Sequence, residues 1–326
     1  VVGVIYVAVS FLIKKIGLDK IKKVLPAQVV GPMIIVIGLN LIPDALKNAG
    51  VNGLLSGQSG AIRNVLIASI TLGLALIIKH YGKGMLKQVA ILIAVVIGYG
   101  ISYAMGMVET AVISEATFLA VPNFTLPKLD LSAILIIVPV VLAVFMEHVG
   151  DITTNGQVVG KNFIEDPGLN RTMLGDGLAT FAAGLIGGPA NTTYGENTGV
   201  LAITKNYDPS ILRITAVFAI LLSFIGKFRA VIVTMPSPVM GGISLMLFSM
   251  IAIVGVKTIK REKVKMNIQN IIIITVILFI GLSGNILSSP IGIAVTSSVS
   301  ISGLSLAGIV GVILNQVMNL TYRTKK

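Results

Sequence analysis

The run Asn191-Thr192-Thr193-Tyr194-Gly195-Glu196-Asn197-Thr198-Gly199-Val200-Leu201-Ala202-Ile203-Thr204-Lys205 sets a carboxylate, two asparagines and several threonines in a chain that is otherwise mostly hydrocarbon. A bilayer offers no water to a backbone group or a carboxylate. A polar, non-helical break at membrane depth therefore persists only where it is buried in protein or lines a cavity. Only Thr198 to Ile203 reads as apolar helix here. At about 1.5 Å per residue that is too short for a crossing. The run predicts an extended segment over Asn191, Thr192, Thr193 and Tyr194, a break at Gly195, and a half-helix capped by Asn197 or Glu196. Half-helices of this kind form the substrate site in many secondary transporters, where their N–H groups point at the ligand.

The rest of the chain fits that setting. It has 326 residues, 55% of them hydrophobic and only 12% charged, and its mean hydropathy is +0.95. Apolar runs recur at about 1–13, 27–46, 62–80, 88–107, 132–150, 172–189, 190–205, 209–226, 234–256, 268–284 and 302–322. The expected fold is an all-α polytopic membrane protein. Because the first run is short and opens on Val1, the chain reads as a fragment lacking upstream spans. The absence of cysteine removes disulfides and thiolate chemistry, and two histidines make a histidine-rich metal centre an unexpected reading.

The net charge of +12 has a topological explanation. Basic clusters at Lys14–Lys23, Lys79–Lys87, Lys161–Arg171, Lys257–Lys265 and Arg323–Lys326 fall in alternate loops, which the positive-inside rule places in the cytoplasm together with the C-terminus. Nucleic acid is therefore not an expected partner; the lipid bilayer is. Lys227 and Arg229 are the exception, two cations on the outer side. The stretch 112–126 reads as an outer interfacial segment, and 285–301 as an uncharged outer loop.

Four acids stand at or near the spans. Glu147 and Asp151 are spaced i, i+4 and share one helix face, while His148 points about 100° away and reads as a packed or capping histidine. Asp151 and Asp176 lie near the ends of the expected spans; Glu147 and Glu196 lie deeper. No Lys or Arg occurs within 132–150 or 190–204, so a proton is the simplest counter-charge for Glu147 and Glu196. Glu147 and Asp151 are expected to titrate as a coupled pair. Sodium held by carboxylates and broken-helix carbonyls is the competing choice.

Glu196-Asn197-x-Gly199-x4-Thr204-Lys205 resembles the signature of the nucleobase-ascorbate transporter family, and Tyr194-Gly195-Glu196-Asn197 with Glu147-His148-Val149-Gly150 resembles its bacterial uracil permease branch. The similarity extends through Asp166-Pro167-Gly168 and Pro236-Ser237-Pro238-Val239-Met240-Gly241-Gly242. The resemblance implies inverted repeats, a core domain moving against a gate domain, and a chain that lacks about three N-terminal spans. On this reading residues 1–26 and 131–228 belong to the core, and residues 27–130 and 229–326 to the gate. It implies that Glu147 and Glu196 bind the base, with Gly195 contributing a backbone N–H and Tyr194 beside it. Phe248 falls where the uracil branch has a tyrosine near the substrate. Asp151 departs from that branch, which has a histidine linked to proton coupling. The purine-transporting branch often has Asp there and at Asp176, yet usually has Gln where Glu196 stands.

The chemistry leads to a nucleobase by a separate route. Uracil is flat and neutral, with alternating N–H donors and C=O acceptors, so two acids and a few backbone amides satisfy its edge. Leaving a buried polar group unpaired against the wrong base typically costs about 1–3 kcal/mol. The expected function is uracil import by proton symport across the bacterial inner membrane, with Glu147, Asp151, Glu196 and Asp176 in the coupling. No cofactor is expected, and a homodimer is the candidate assembly. A purine permease of the same family is the alternative. An anion transporter of related fold would want a cation or bare helix N-termini at the site instead of two carboxylates. An intramembrane aspartyl protease is disfavoured because Met173 stands where a Gly-x-Gly-Asp motif needs glycine and no Tyr-Asp partner occurs.

Overall fold

The apolar runs fold as helices in the computed structural model of the chain, which describes residues 1–17, 20, 23, 25–193, 195–287, 289–294 and 300–323. A helix satisfies its own backbone groups, so it is the form that apolar segments take where water is scarce. Two compact units result. One comprises Val1–Asn40, Thr125–Gly195 and Ser249–Lys326; the other comprises Leu41–Phe124 and Glu196–Phe248.

The first unit contains α1 (Val2–Ile16), most of α2 (Ala27–Asn48), α8 (Leu131–Val159), α9 (Leu169–Leu185), the second half of α13 (Ser237–Arg261), α14 (Ile268–Ile286) and α15 (Gly303–Arg323). A kinked turn over Ile164–Gly168, with Asp166 in extended geometry (φ −134°, ψ 115°), leads from α8 into α9. The core of this unit is built from Tyr6 and Ile13 of α1, Val29, Val30 and Met33 of α2, Phe145 and Val149 of α8, Met173 of α9 and Ile277 of α14.

The second unit contains the end of α2, then α3 (Val51–Leu55), α4 (Ala61–Tyr81), α5 (Met85–Gln88), α6 (Ala90–Ala104) and α7 (Thr110–Glu115), followed by α10 (Gly195–Thr204), α11 (Pro209–Ser223), α12 (Gly226–Val233) and the first half of α13. Asp208 caps α11. Its carboxylate accepts from the Ser210 N–H at 2.8 Å, and that backbone bond holds the Asp208 carboxyl below its usual range. Lys227, one of the two anomalous outer cations, donates to the Ile113 and Ser114 carbonyls at 2.8 and 2.7 Å. It satisfies carbonyls at the C-terminal end of α7, where a cation is favoured.

Most of the described residues are helical, as expected. The loop after α14 carries a two-stranded antiparallel sheet, β1 (Gly292–Ala294) with β2 (Ser300–Ser302), which pairs Ile293 with Ile301. β-branched residues on adjacent extended segments favour such pairing over an open loop. Among the described residues, four helices (Ala27–Asn48, Ala61–Tyr81, Ser237–Arg261 and Ile268–Ile286) are long and apolar enough to cross a membrane. Ala90–Ala104, Pro209–Ser223 and Gly303–Met318 are shorter apolar helices.

Helices α1 and α9 approach closely. A Cβ on Gly3 would lie 2.5 Å from the Phe181 nitrogen and 2.6 Å from the Gly177 carbonyl oxygen, and a Cβ on Gly177 would lie 2.9 Å from the Val7 nitrogen. Backbone here meets backbone, as small residues allow in membrane helices. Ser10 tightens the same seam by donating to the Asn170 carbonyl at 2.6 Å. Gly177→Ala should therefore destabilise the protein by about 1–3 kcal/mol through overpacking. Gly175→Ala, at a glycine with open space around its Cβ position, should gain up to about 1 kcal/mol from helix propensity. Thermal unfolding of the detergent-solubilised protein measures both, and equal midpoints would contradict the close approach.

Candidate functional site

Helix α8 continues through Gly150 to Val159, past the expected end of the span at 150. Thr153 and Thr154 explain the continuation, since their hydroxyls donate back to the Val149 and Gly150 carbonyls at 2.6 and 2.9 Å. Asp151 consequently lies inside a helix and is partly buried. Asp176 likewise lies well inside α9. Both acids thus lie within helices, α8 continuing beyond the apolar run at 132–150 and α9 beginning before the run at 172–189.

His148 is the centre of a polar cluster in this apolar setting. It is 2% exposed. Its Nδ1 lies 2.8 Å from Asp176 Oδ2 and 3.1 Å from Thr193 Oγ1, and its Nε2 lies 3.0 Å from Thr172 Oγ1. The hydroxyl protons are committed elsewhere: Thr172 donates to the Leu169 carbonyl at 3.0 Å, and Thr193 donates to Asp176 Oδ2 at 3.3 Å. Each ring nitrogen thus meets an oxygen, and Asp176, whose side chain is 27% exposed, faces the Nδ1 edge.

This cluster fastens the non-helical residues before α10. Residues 188–193 belong to neither helix nor strand, and α10 starts at Gly195. Thr193 is held to α8 and α9 as described. Two residues earlier, Asn191 is held to α9: its N–H donates to Thr180 Oγ1 at 3.2 Å, and its carbonyl accepts from the Thr180 hydroxyl at 3.3 Å. Upstream, Thr125 packs where a Gly187 side chain would have to sit, and Gly187 has φ +88°, so both the space and the backbone demand glycine.

The other expected site residues are placed as follows. Glu147 precedes His148 on α8 and is partly buried. The Tyr6 hydroxyl of α1 lies within electrostatic reach of both Glu147 and Asp176. Thr192 is exposed, and Asn197 is exposed within the first turn of α10, inside the helix and not ahead of it. Phe248 is a partly buried residue of α13. Tyr194 lies outside the described residues, and Gly195 and Glu196 are described by their backbone, as the first two residues of α10.

The structure thus brings together Asp176 and Thr193, which the sequence reading singled out, with His148, which it took for a packed histidine, and Thr172, which it passed over. The available signal was the i, i+4 spacing of Thr172 and Asp176, which puts both on one face of α9. A cation also reaches α8 from far along the chain: an Arg261 guanidinium nitrogen lies 3.2 Å from where a Gly150 Cβ would sit.

Comparison with known proteins adds a family. A profile described as "Permease family" matches residues 1–289. The chain is 39% identical over 318 residues to the "Probable uracil permease" of Pasteurella multocida, covering 97% of this chain and 74% of that protein. It is 40% identical over 321 residues to the "Uracil permease" of Escherichia coli K12, covering 98% and 72% respectively. The "Putative pyrimidine permease RutG" of the same strain is 32% identical over 287 residues, 86% of this chain and 62% of that protein.

Thr180 provides a test of the fastened segment. Thr180→Val keeps the shape but strips the Asn191 N–H and carbonyl of their partner, so stability should fall by about 1–3 kcal/mol. Limited proteolysis should open the chain between Gly187 and Thr193 sooner than in the parent protein. Unchanged cleavage would mean that these bonds do not hold the segment.

Proposed function

The chain belongs to the nucleobase-ascorbate transporter family, and we propose that this protein imports uracil by proton symport across the bacterial inner membrane. Its relatives are permeases and not enzymes, and the protein is a multi-pass membrane transporter. The observation that carries the substrate reading is the Tyr194-Gly195-Glu196-Asn197 sequence at the start of a half-helix. It is supported by similarity to proteins named uracil permease over 97–98% of the chain.

In this reading the backbone N–H groups at the start of α10, Gly195 first among them, donate to a uracil carbonyl. The carboxyl groups of Glu196 and Glu147 pair with the N–H and C=O groups of the base edge. Tyr194 and Phe248 supply flat surfaces against the ring. Glu147, Asp151, Glu196 and Asp176 carry the coupling proton, since adding a proton to a carboxylate removes the charge that is most costly at membrane depth. Alternating access moves a core of residues 1–26 and 131–228 against a gate of residues 27–130 and 229–326, with the C-terminus in the cytoplasm. A purine permease is the second reading, favoured by the acids at Asp151 and Asp176.

Competition experiments separate these readings. Uptake of labelled uracil should be blocked by unlabelled uracil and left intact by xanthine, uric acid and ascorbate; block by xanthine alone would establish the purine reading. In vesicles free of sodium, an imposed inward proton gradient should drive accumulation, and a requirement for sodium would overturn proton symport. Glu196→Gln keeps the side-chain shape without an ionisable group. It should weaken uracil binding at least about tenfold in calorimetry on solubilised protein, the scale set by one charge-assisted hydrogen bond. Affinity within about twofold of the parent would remove Glu196 from the site.

A further inference from the structure

We propose that His148 is a positioning residue, a latch that fastens the non-helical segment ahead of α10 to α8 and α9 and so fixes where the half-helix begins. The geometry is specific. One buried imidazole joins three separate stretches of chain: its own helix α8, Asp176 and Thr172 of α9, and Thr193 of the segment. Thr193 closes the ring by donating to the same Asp176 oxygen that faces Nδ1.

A histidine that merely filled space would need none of this. An apolar side chain would bury without polar atoms to satisfy, whereas a buried imidazole is costly unless its nitrogens meet partners, and here both do. The arrangement contributes specificity of position. Thr193 stands two residues before Gly195, and a segment that slid along α9 would carry the first turn of α10 with it.

The experiment is amide hydrogen exchange of peptides spanning residues 186–194, read alongside uracil uptake. His148→Phe should raise exchange in that segment at least about tenfold, the scale of a charge-assisted hydrogen bond, while α14 and α15 keep the parent's protection. His148→Asn, which retains a donor near the Nδ1 position, should restore much of the protection. Asp176→Asn should raise exchange as well, and its effect should not add to that of His148→Phe. Segment protection equal to the parent's in both His148 variants would overturn the latch.

The uptake half rests on the nucleobase reading: His148→Phe should raise KM for uracil at least about tenfold with a much smaller change in maximal rate, as displacement of a binding element predicts. An unchanged KM in a variant whose segment has loosened would overturn the functional role of the latch. Absence of uracil uptake in the parent, with the exchange pattern intact, would instead overturn the substrate and leave the latch standing.

Discussion

The buried contact between His148 and Asp176 is the interaction on which the hold on the non-helical segment before α10 depends. A chain that leaves helical geometry among apolar helices must find partners for its exposed backbone and side-chain groups from protein alone. Residues 188–193 find theirs on α9 and α8: Thr180 takes both backbone groups of Asn191, and the His148–Asp176 pair takes Thr193. The pair in turn tolerates burial because each ring nitrogen meets an oxygen. Removing either partner would leave a buried polar group unsatisfied, so the two residues constrain each other.

That constraint reaches back into helix packing. Asp176 meets His148 only if α9 lies close along α8, and α9 is set in place from its other side by α1. The approach of Gly3 to Phe181 and of Gly177 to Val7 brings the two backbones together, while Ser10 and Asn170 fix the register. Gly177 is the neighbour of Asp176 in the chain. The same turn of α9 therefore carries the smallest residue on one face and a carboxylate on another, and the side chain that α9 omits toward α1 is what lets the carboxylate be placed precisely enough to hold a ring at 2.8 Å.

The sequence exposed some of this and hid the rest for identifiable reasons. Helices were legible because apolar runs of span length have few other folds available in a bilayer; α2, α4, α13 and α14 each fall on such a run. The break before α10 was legible because Asn191, Thr192, Thr193 and Gly195 are poor material for a helix interior. The continuation of α8 was not, since hydropathy falls after Gly150, and only the back-bonding of Thr153 and Thr154 shows how polar residues extend the helix. The strand pair after α14 was hidden because two three-residue strands leave too little pattern to detect. Lys227 looked anomalous to a charge rule that cannot see the carbonyls of α7.

His148 is the most instructive miss. A lone histidine on an apolar helix is ordinarily a satisfied core residue, and in one sense that is what it is. Its partners come from positions 24, 28 and 45 residues away in the chain, and no local spacing announces them. What distinguishes a merely satisfied histidine from a functional one is the kind of partner. Two of its contacts, with Asp176 and Thr193, lead to the segment that precedes the half-helix and tie it to two helices at once.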